Sequence, residues 1–238
     1  LSDTLNLGPE AEDMARDPIV LQQQSAIRES ALVGNKVLRN TYLLLSATLA
    51  FSALTAGIAM AFNLPHPGLG LTLIVYFGLL YGVYKTANSA AGIAFVFALT
   101  GFLGYTLGPI ISFYLQAIPN GHAVVMNAFG ITAVSFIALS AYAIRSGRSF
   151  SFMGGFLFVG ILTAFLLGLA AVLFSLPALS LAVSGMFVLL MAGLILYQTG
   201  EIVNGGETNY VLATVTLYVS IFNLFTSLLH LLGFAGDE

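Results

Sequence analysis

Cysteine and tryptophan are both missing from the 238 residues, and only 7% of the chain is charged. The lack of cysteine excludes a disulfide framework, a thiolate metal site and a cysteine nucleophile. The lack of tryptophan leaves any interfacial aromatic belt to Tyr and Phe, and Tyr42, Tyr84, Tyr142, Tyr197 and Tyr210 stand near the ends of apolar segments. No Asp, Glu, Lys or Arg falls in the middle of any of those segments. Intramembrane charges mark ion paths and proton relays, so this argues against a coupled transporter or pump. A net charge of -3 is too small to point to nucleic acid. Serines are plentiful, but no Ser, His and acid constellation can be named and no G-x-S-x-G occurs, so no catalytic residue is assigned. His66 and His122 lie at loop edges on the same side as His230 without a paired ligand spacing, so no metal site and no cofactor are expected. The Asn204–Asn209 loop lacks the Lys and the preceding strand of a phosphate-binding loop; its expected role is to turn the chain and cap the helix that follows.

What remains is apolar. Hydrophobic residues make up 58% of the chain, leaving too little polar surface for a soluble globule of this size. Seven apolar segments, at 42–62, 68–84, 90–115, 122–144, 152–174, 178–198 and 211–234, are read as helices crossing a bilayer, for which roughly 20 residues are needed; the second is short, at about 17, and would be tilted little or extended at its ends. Pro and Gly punctuate the breaks, at Asn63–Gly68, Ile118–Gly121, Ser175–Pro177 and Asn204–Gly206. The fold class expected is an all-α membrane protein, a bundle of seven transmembrane helices.

Residues 1–40 hold ten of the seventeen charges and read as an N-terminal tail, partly disordered and acidic at its start, ahead of a transmembrane domain at 41–238. Between Ile19 and Arg39 the apolar residues are sparse enough that a helix would be marginal alone. The tail has no continuous apolar run near its start, so the first membrane helix is expected to direct insertion in place of a cleaved signal. Arg16, Arg28, Lys36, Arg39, Lys85, Arg145 and Arg148 all fall on the side of the tail, and the loops around Pro65, Pro119 and Pro177 contain no Lys or Arg. The positive-inside rule therefore predicts a cytoplasmic N-terminus and an outside C-terminus.

The final segment, Val211–Phe234, carries its polar residues in order. Thr216, Ser220, Asn223, Ser227 and His230 follow spacings of four and three, one narrow stripe on a helix, with Leu217, Phe222, Leu224 and Leu228 away from it. Hydroxyls and amides in hydrocarbon lose their partners, so the stripe is expected to turn toward the middle of the bundle, with this helix as its hub. Interhelical glue and a functional pathway both fit the pattern. Two stripes of small residues, Ser46, Ala50, Ala53 and Gly57 on the first helix and Ala94, Ala98, Gly101, Gly104 and Gly108 on the third, predict close helix contacts. Gly108-Pro109 is expected to kink or end the third helix.

Three separated blocks, KVLRNTYLLLSATLAFSALTA (Lys36–Ala56), GFLGYTLGPI (Gly101–Ile110) and LYQTGEIVNGGETNYVLATVTLYVSIFNLF (Leu196–Phe225), resemble the transmembrane Bax inhibitor motif family. The resemblance covers essentially everything from Lys36 onward. It implies a seven-helix bundle whose last helix is central, in a multi-pass protein of the bacterial inner membrane; the outside C-terminus expected from the basic residues would then be periplasmic. For the bacterial branch that this chain resembles most, it also implies a partner: the membrane-anchored ATP-dependent protease FtsH, which such proteins are thought to modulate. Many members carry an aspartate after the aromatic residue of the sixth helix and a second in the last helix, a pair associated with pH-dependent calcium leak. Gln198 and Ser220 stand at those places here. Two close carboxylates share a proton and titrate in coupled steps, which glutamine and serine cannot do. A Gln198 to Ser220 hydrogen bond would keep the helix contact without the pH response. The expected function is a non-enzymatic membrane regulator of FtsH. The alternative is a passive cation (calcium) leak, which the missing carboxylates disfavour because calcium prefers several hard, commonly anionic oxygen ligands.

Overall fold

In the computed structural model, described for the backbone of residues 18–235 and for side chains from Lys36 onward, seven long helices follow one another: α1 (Pro18–Ala61), α2 (Leu69–Thr86), α3 (Ala90–Ala117), α4 (Gly121–Ser146), α5 (Gly154–Leu173), α6 (Pro177–Val203) and α7 (Tyr210–Ala235). A single 3₁₀ turn, Ser151–Met153, leads into α5. All seven are long and apolar enough to cross a membrane, with the first span running from Lys36 to Ala61. The breaks fall at the Pro and Gly clusters. Gly68 and Gly147 take positive φ (82° and 57°) at an N-terminus and a C-terminus, a backbone region open to glycine at little cost. Pro177 sits at the first position of α6, where its missing N–H would have no helical partner anyway.

Two expectations change. The first helix does not begin at the membrane edge: α1 runs unbroken from Pro18, so the stretch Ile19–Arg39 is helical. Nucleation is the costly step in helix formation, and a span that is already helical extends into a polar segment without repeating it. The part of the tail before Pro18 lies outside the described residues. The second concerns α3, which continues through Pro109 to Ala117, so of the kink or end expected at Gly108-Pro109 the end is ruled out.

The helix contact through small residues is half as expected. Gly101, Gly104 and Gly108 of α3 are buried against α1, where a Cβ on Gly108 would meet Ala59 Cβ at 2.6 Å and the Ala56 carbonyl at 2.7 Å. The α1 face that meets them is Ser52, Thr55, Ala56 and Ala59. Ser46, Ala50, Ala53 and Gly57 are exposed, as are Ala94 and Ala98, so those positions do not make the close contact. α1 carries small residues on two faces, and α3 takes the neighbouring one.

α7 is the most buried span, with 61% of its window enclosed against 44% for α3 and less for the others. It packs against α1, α2, α3, α4 and α6. Val211, Leu217, Tyr218, Leu224 and Leu229, each at 1% exposure or below, supply its share of the apolar core.

Candidate functional site

The N-terminus of α7 is anchored by Asn209. Its Oδ1 accepts from the backbone N–H of Val211 (2.9 Å) and Leu212 (3.3 Å), capping the helix as the loop sequence suggested. Its Nδ2 donates to Asn88 Oδ1 (2.8 Å) and the Ala87 carbonyl (3.3 Å), which ties the α6–α7 loop to the α2–α3 loop. At the same end Ser151 Oγ donates to Glu201 Oε1 (2.6 Å) and Asn204 Nδ2 donates to the Arg148 carbonyl (3.2 Å), so the α4–α5 connection is fastened to the end of α6.

From this fixed end α7 presents two polar faces. One holds Thr214 and, a turn later, Tyr218. Thr214 Oγ1 donates to the Tyr210 carbonyl (2.7 Å) and lies 3.3 Å from the Thr41 carbonyl on α1. Tyr218 Oη donates to the Thr100 carbonyl on α3 (3.2 Å) and lies 2.6 Å from Ser52 Oγ on α1. A tyrosine has one hydroxyl hydrogen; with it directed at Thr100, Ser52 is the donor to Tyr218. The result is a relay of two hydroxyls and a carbonyl that joins three helices in the core.

The opposite face holds the polar stripe of the sequence, and two of its five members bond back to their own helix. Ser220 Oγ donates to the Thr216 carbonyl (2.7 Å) and Asn223 Nδ2 to the Val219 carbonyl (2.8 Å). Such bonds to the carbonyl four residues back satisfy the polar group without linking helices. Ser220 and Ser227 are buried, whereas Thr216, Asn223 and His230 are half-buried. The stripe reaches across to a neighbour at His230, whose Nδ1 lies 2.8 Å from Ser184 Oγ on α6.

Gln198 is 6% exposed and Ser220 fully buried, but no hydrogen bond joins them: the serine hydroxyl is spent on Thr216, and Gln198 Nε2 has no acceptor. Among the described residues two further buried side-chain atoms have no partner, Thr41 Oγ1 on α1 and Ser140 Oγ on α4. Tyr42 Oη, beside Thr41, approaches Thr199 Oγ1, beside Gln198, to 3.5 Å, and the Tyr42 ring lies 5.9 Å from that of Phe136, one turn before Ser140. The unpartnered atoms therefore belong to helices that meet near the Lys36 end of the bundle. Among the described residues no three His, Asp or Glu side chains gather as a metal would require; His66 Nδ1 accepts from the Gly68 backbone instead.

Sequence periodicity missed Ser52, Thr100 and Tyr218. A mid-span tyrosine counts as apolar in a helical pattern, yet its buried hydroxyl has to find a partner, and that demand is the signal that would have singled it out.

The model of the family described as "Inhibitor of apoptosis-promoting Bax1" matches residues 34–237. A relative in Escherichia coli K12, "Modulator of FtsH protease YccA", is 51% identical over 211 residues, covering 89% of this chain and 95% of the relative. An uncharacterized protein of Pseudomonas aeruginosa is 46% identical over 217 residues (91% and 97% of the two chains), and an uncharacterized membrane protein of Vibrio cholerae 43% identical over 211 residues (88% and 94%). With nearly the whole helical bundle inside that match, the chain belongs to the Bax inhibitor family.

Proposed function

We propose that this chain is a non-enzymatic, multi-pass regulator of the bacterial inner membrane that engages the protease FtsH and modulates it. The observation that carries the reading is the 51% identity, over most of both chains, to a relative named as a modulator of that protease; another strain's copy of the relative is named an inner membrane protein. The chemistry of the bundle is in keeping with it. The buried polar groups of α7 are mostly bonded to backbone carbonyls, an arrangement that fixes helices. The test is affinity purification of the tagged chain from native membranes with FtsH at its natural level, together with the half-life of an FtsH substrate on overproduction. Co-purification with a lengthened half-life supports the reading; an unchanged half-life with no FtsH recovered ends it.

A passive cation leak is the second reading, favoured by the unpartnered Thr41, Ser140 and Gln198 atoms, since unsatisfied buried polar groups are places where water or an ion can be accommodated. It lacks an anionic ligand: the two positions where many family members place carboxylates are Gln198 and Ser220.

A further inference from the structure

Among the described residues no Cα of α1 comes within 8 Å of one of α4, and between the two helices an apolar groove of about 770 Å³ runs in to the face of α7. Ala53 and Gly57 form its α1 wall, Phe129 and Ala133 its α4 wall, and Tyr218 and Phe222 its floor. The tilted approach of Tyr42 to Phe136, 5.9 Å between centroids, closes it toward the Lys36 end. From Leu49, near the middle of the first span, the groove extends to Met60 at the far edge.

We propose that this groove is a binding site for one acyl chain of a membrane phospholipid, taken from the leaflet on the Ala61 side. Three observations select this occupant. The groove is open sideways between two spans whose outward residues, Leu54 and Ile137 among them, face the bilayer, so hydrocarbon is the medium at its mouth. Leu49 to Met60 is about 16 Å of helix, which matches the roughly 15 Å depth of one leaflet's hydrocarbon. Its polar groups ask for nothing: Ser52 and Tyr218 satisfy each other and Thr100, and Thr132 Oγ1 donates to the Ala128 carbonyl at 2.7 Å. Lipid tails are as apolar as the groove, so the chain gains packing contacts and little hydrophobic free energy, and its occupancy follows from the high concentration of lipid around the protein. The bound chain lies against Tyr218 and so touches the hydroxyl relay that joins α1, α3 and α7.

The test reconstitutes the full chain in nanodiscs of phosphatidylethanolamine carrying a photoreactive diazirine near the end of one acyl chain, and maps the adducts by mass spectrometry. Adducts are expected on groove residues at several times the yield found on the exposed α5 face in the same leaflet, for instance at Leu166. Gly57→Phe, at a position where an added Cβ meets no atom within 4 Å, is expected to cut the groove adducts several-fold while leaving those on α5 unchanged. Ala133→Phe supplies a second obstruction from the other wall. Equal yields on the groove and on α5 in the wild-type chain would mean annular lipid only and would overturn the proposal. So would protein-to-protein adducts at Gly57 in native membranes in place of lipid adducts, which would assign the groove to a partner.

Discussion

Ser52 Oγ and Tyr218 Oη lie 2.6 Å apart although 166 residues separate them in the chain, and the pair fastens α1 to the most buried helix of the bundle. Tyr218→Phe removes the acceptor of Ser52 and the donor to Thr100; Ser52→Ala removes one of those bonds and leaves the other. Hydrogen bonds between membrane helices average about 0.6 kcal/mol in double-mutant cycles, with a maximum near 1.7. The cycle Ser52→Ala, Tyr218→Phe, followed by reversible unfolding in mixed micelles, is expected to give a coupling within that range. A coupling of zero would mean that the two hydroxyls are neighbours without being partners.

Glycines facing a neighbouring helix and glycines facing open space are expected to respond in opposite ways. Gly104→Ala would press a methyl group into the Ser52 backbone and Thr55 of α1, and overpacking of this kind costs about 1–3 kcal/mol. Gly57→Ala meets nothing and removes a flexible residue from a helix, so it is expected to be neutral or slightly stabilising. Thermal unfolding of the two variants beside the wild type checks the contrast; equal losses would place the α1–α3 contact elsewhere.

The seven spans were legible because long apolar runs and Pro or Gly breaks leave few alternatives, and the helices fall within a few residues of the segments read from the sequence. The start of α1 was not legible, since it depends on propagation from the packed span and not on the composition of Ile19–Arg39. Which small-residue face of α1 meets α3 was also hidden: Ser46-Ala50-Ala53-Gly57 and Ser52-Ala56-Ala59 have the same helical spacing, and only packing distinguishes them. At the candidate site the resemblance located Gln198 and Ser220, but not that Ser220 turns back to Thr216 and leaves the amide without a partner, because a serine side chain chooses between its own helix and its neighbour only in three dimensions.

The orientation argued from the basic residues predicts a cytoplasmic N-terminus and an outside C-terminus. A periplasm-specific reporter fused after Glu238 is expected to be active and a cytoplasm-specific one silent. The reverse result would mean that one of the seven helices does not cross the membrane.

Calcium flux through the reconstituted chain, where any is found, is expected to stay flat between pH 6 and 8. Gln198 and Ser220 carry no proton to exchange, whereas two close carboxylates share one and release it in coupled steps. Gln198→Asp together with Ser220→Asp is expected to introduce pH dependence. Steep pH dependence in the wild type that disappears in His230→Ala would instead assign the response to the histidine beside Ser184.

The last expectation concerns how FtsH would engage the chain if the proposed function holds. An ATP-driven protease needs a polar segment on its own side of the membrane to grip, and the stretch before Pro18, with Asp3, Glu10, Glu12, Asp13, Arg16 and Asp17, is polar and lies on the side to which the basic residues assign the cytoplasm. The bundle beyond it resists. Drawing a span into water exposes apolar surface at roughly 25 cal/mol per Å², and α7 must also give up its contacts with five neighbouring helices. A substrate that is easy to grip and slow to extract occupies the protease and spares its other substrates, so binding without rapid destruction is itself inhibition. Deleting residues 1–17 keeps Arg28, Lys36 and Arg39, which preserves the charge bias that orients the first helix. Insertion is therefore expected to be intact, engagement weaker and the protein longer-lived. Pulse-chase of the full-length and shortened chains in cells with and without FtsH measures this. FtsH-dependent decay at equal rates for both would move the contact from the N-terminal segment to the membrane helices.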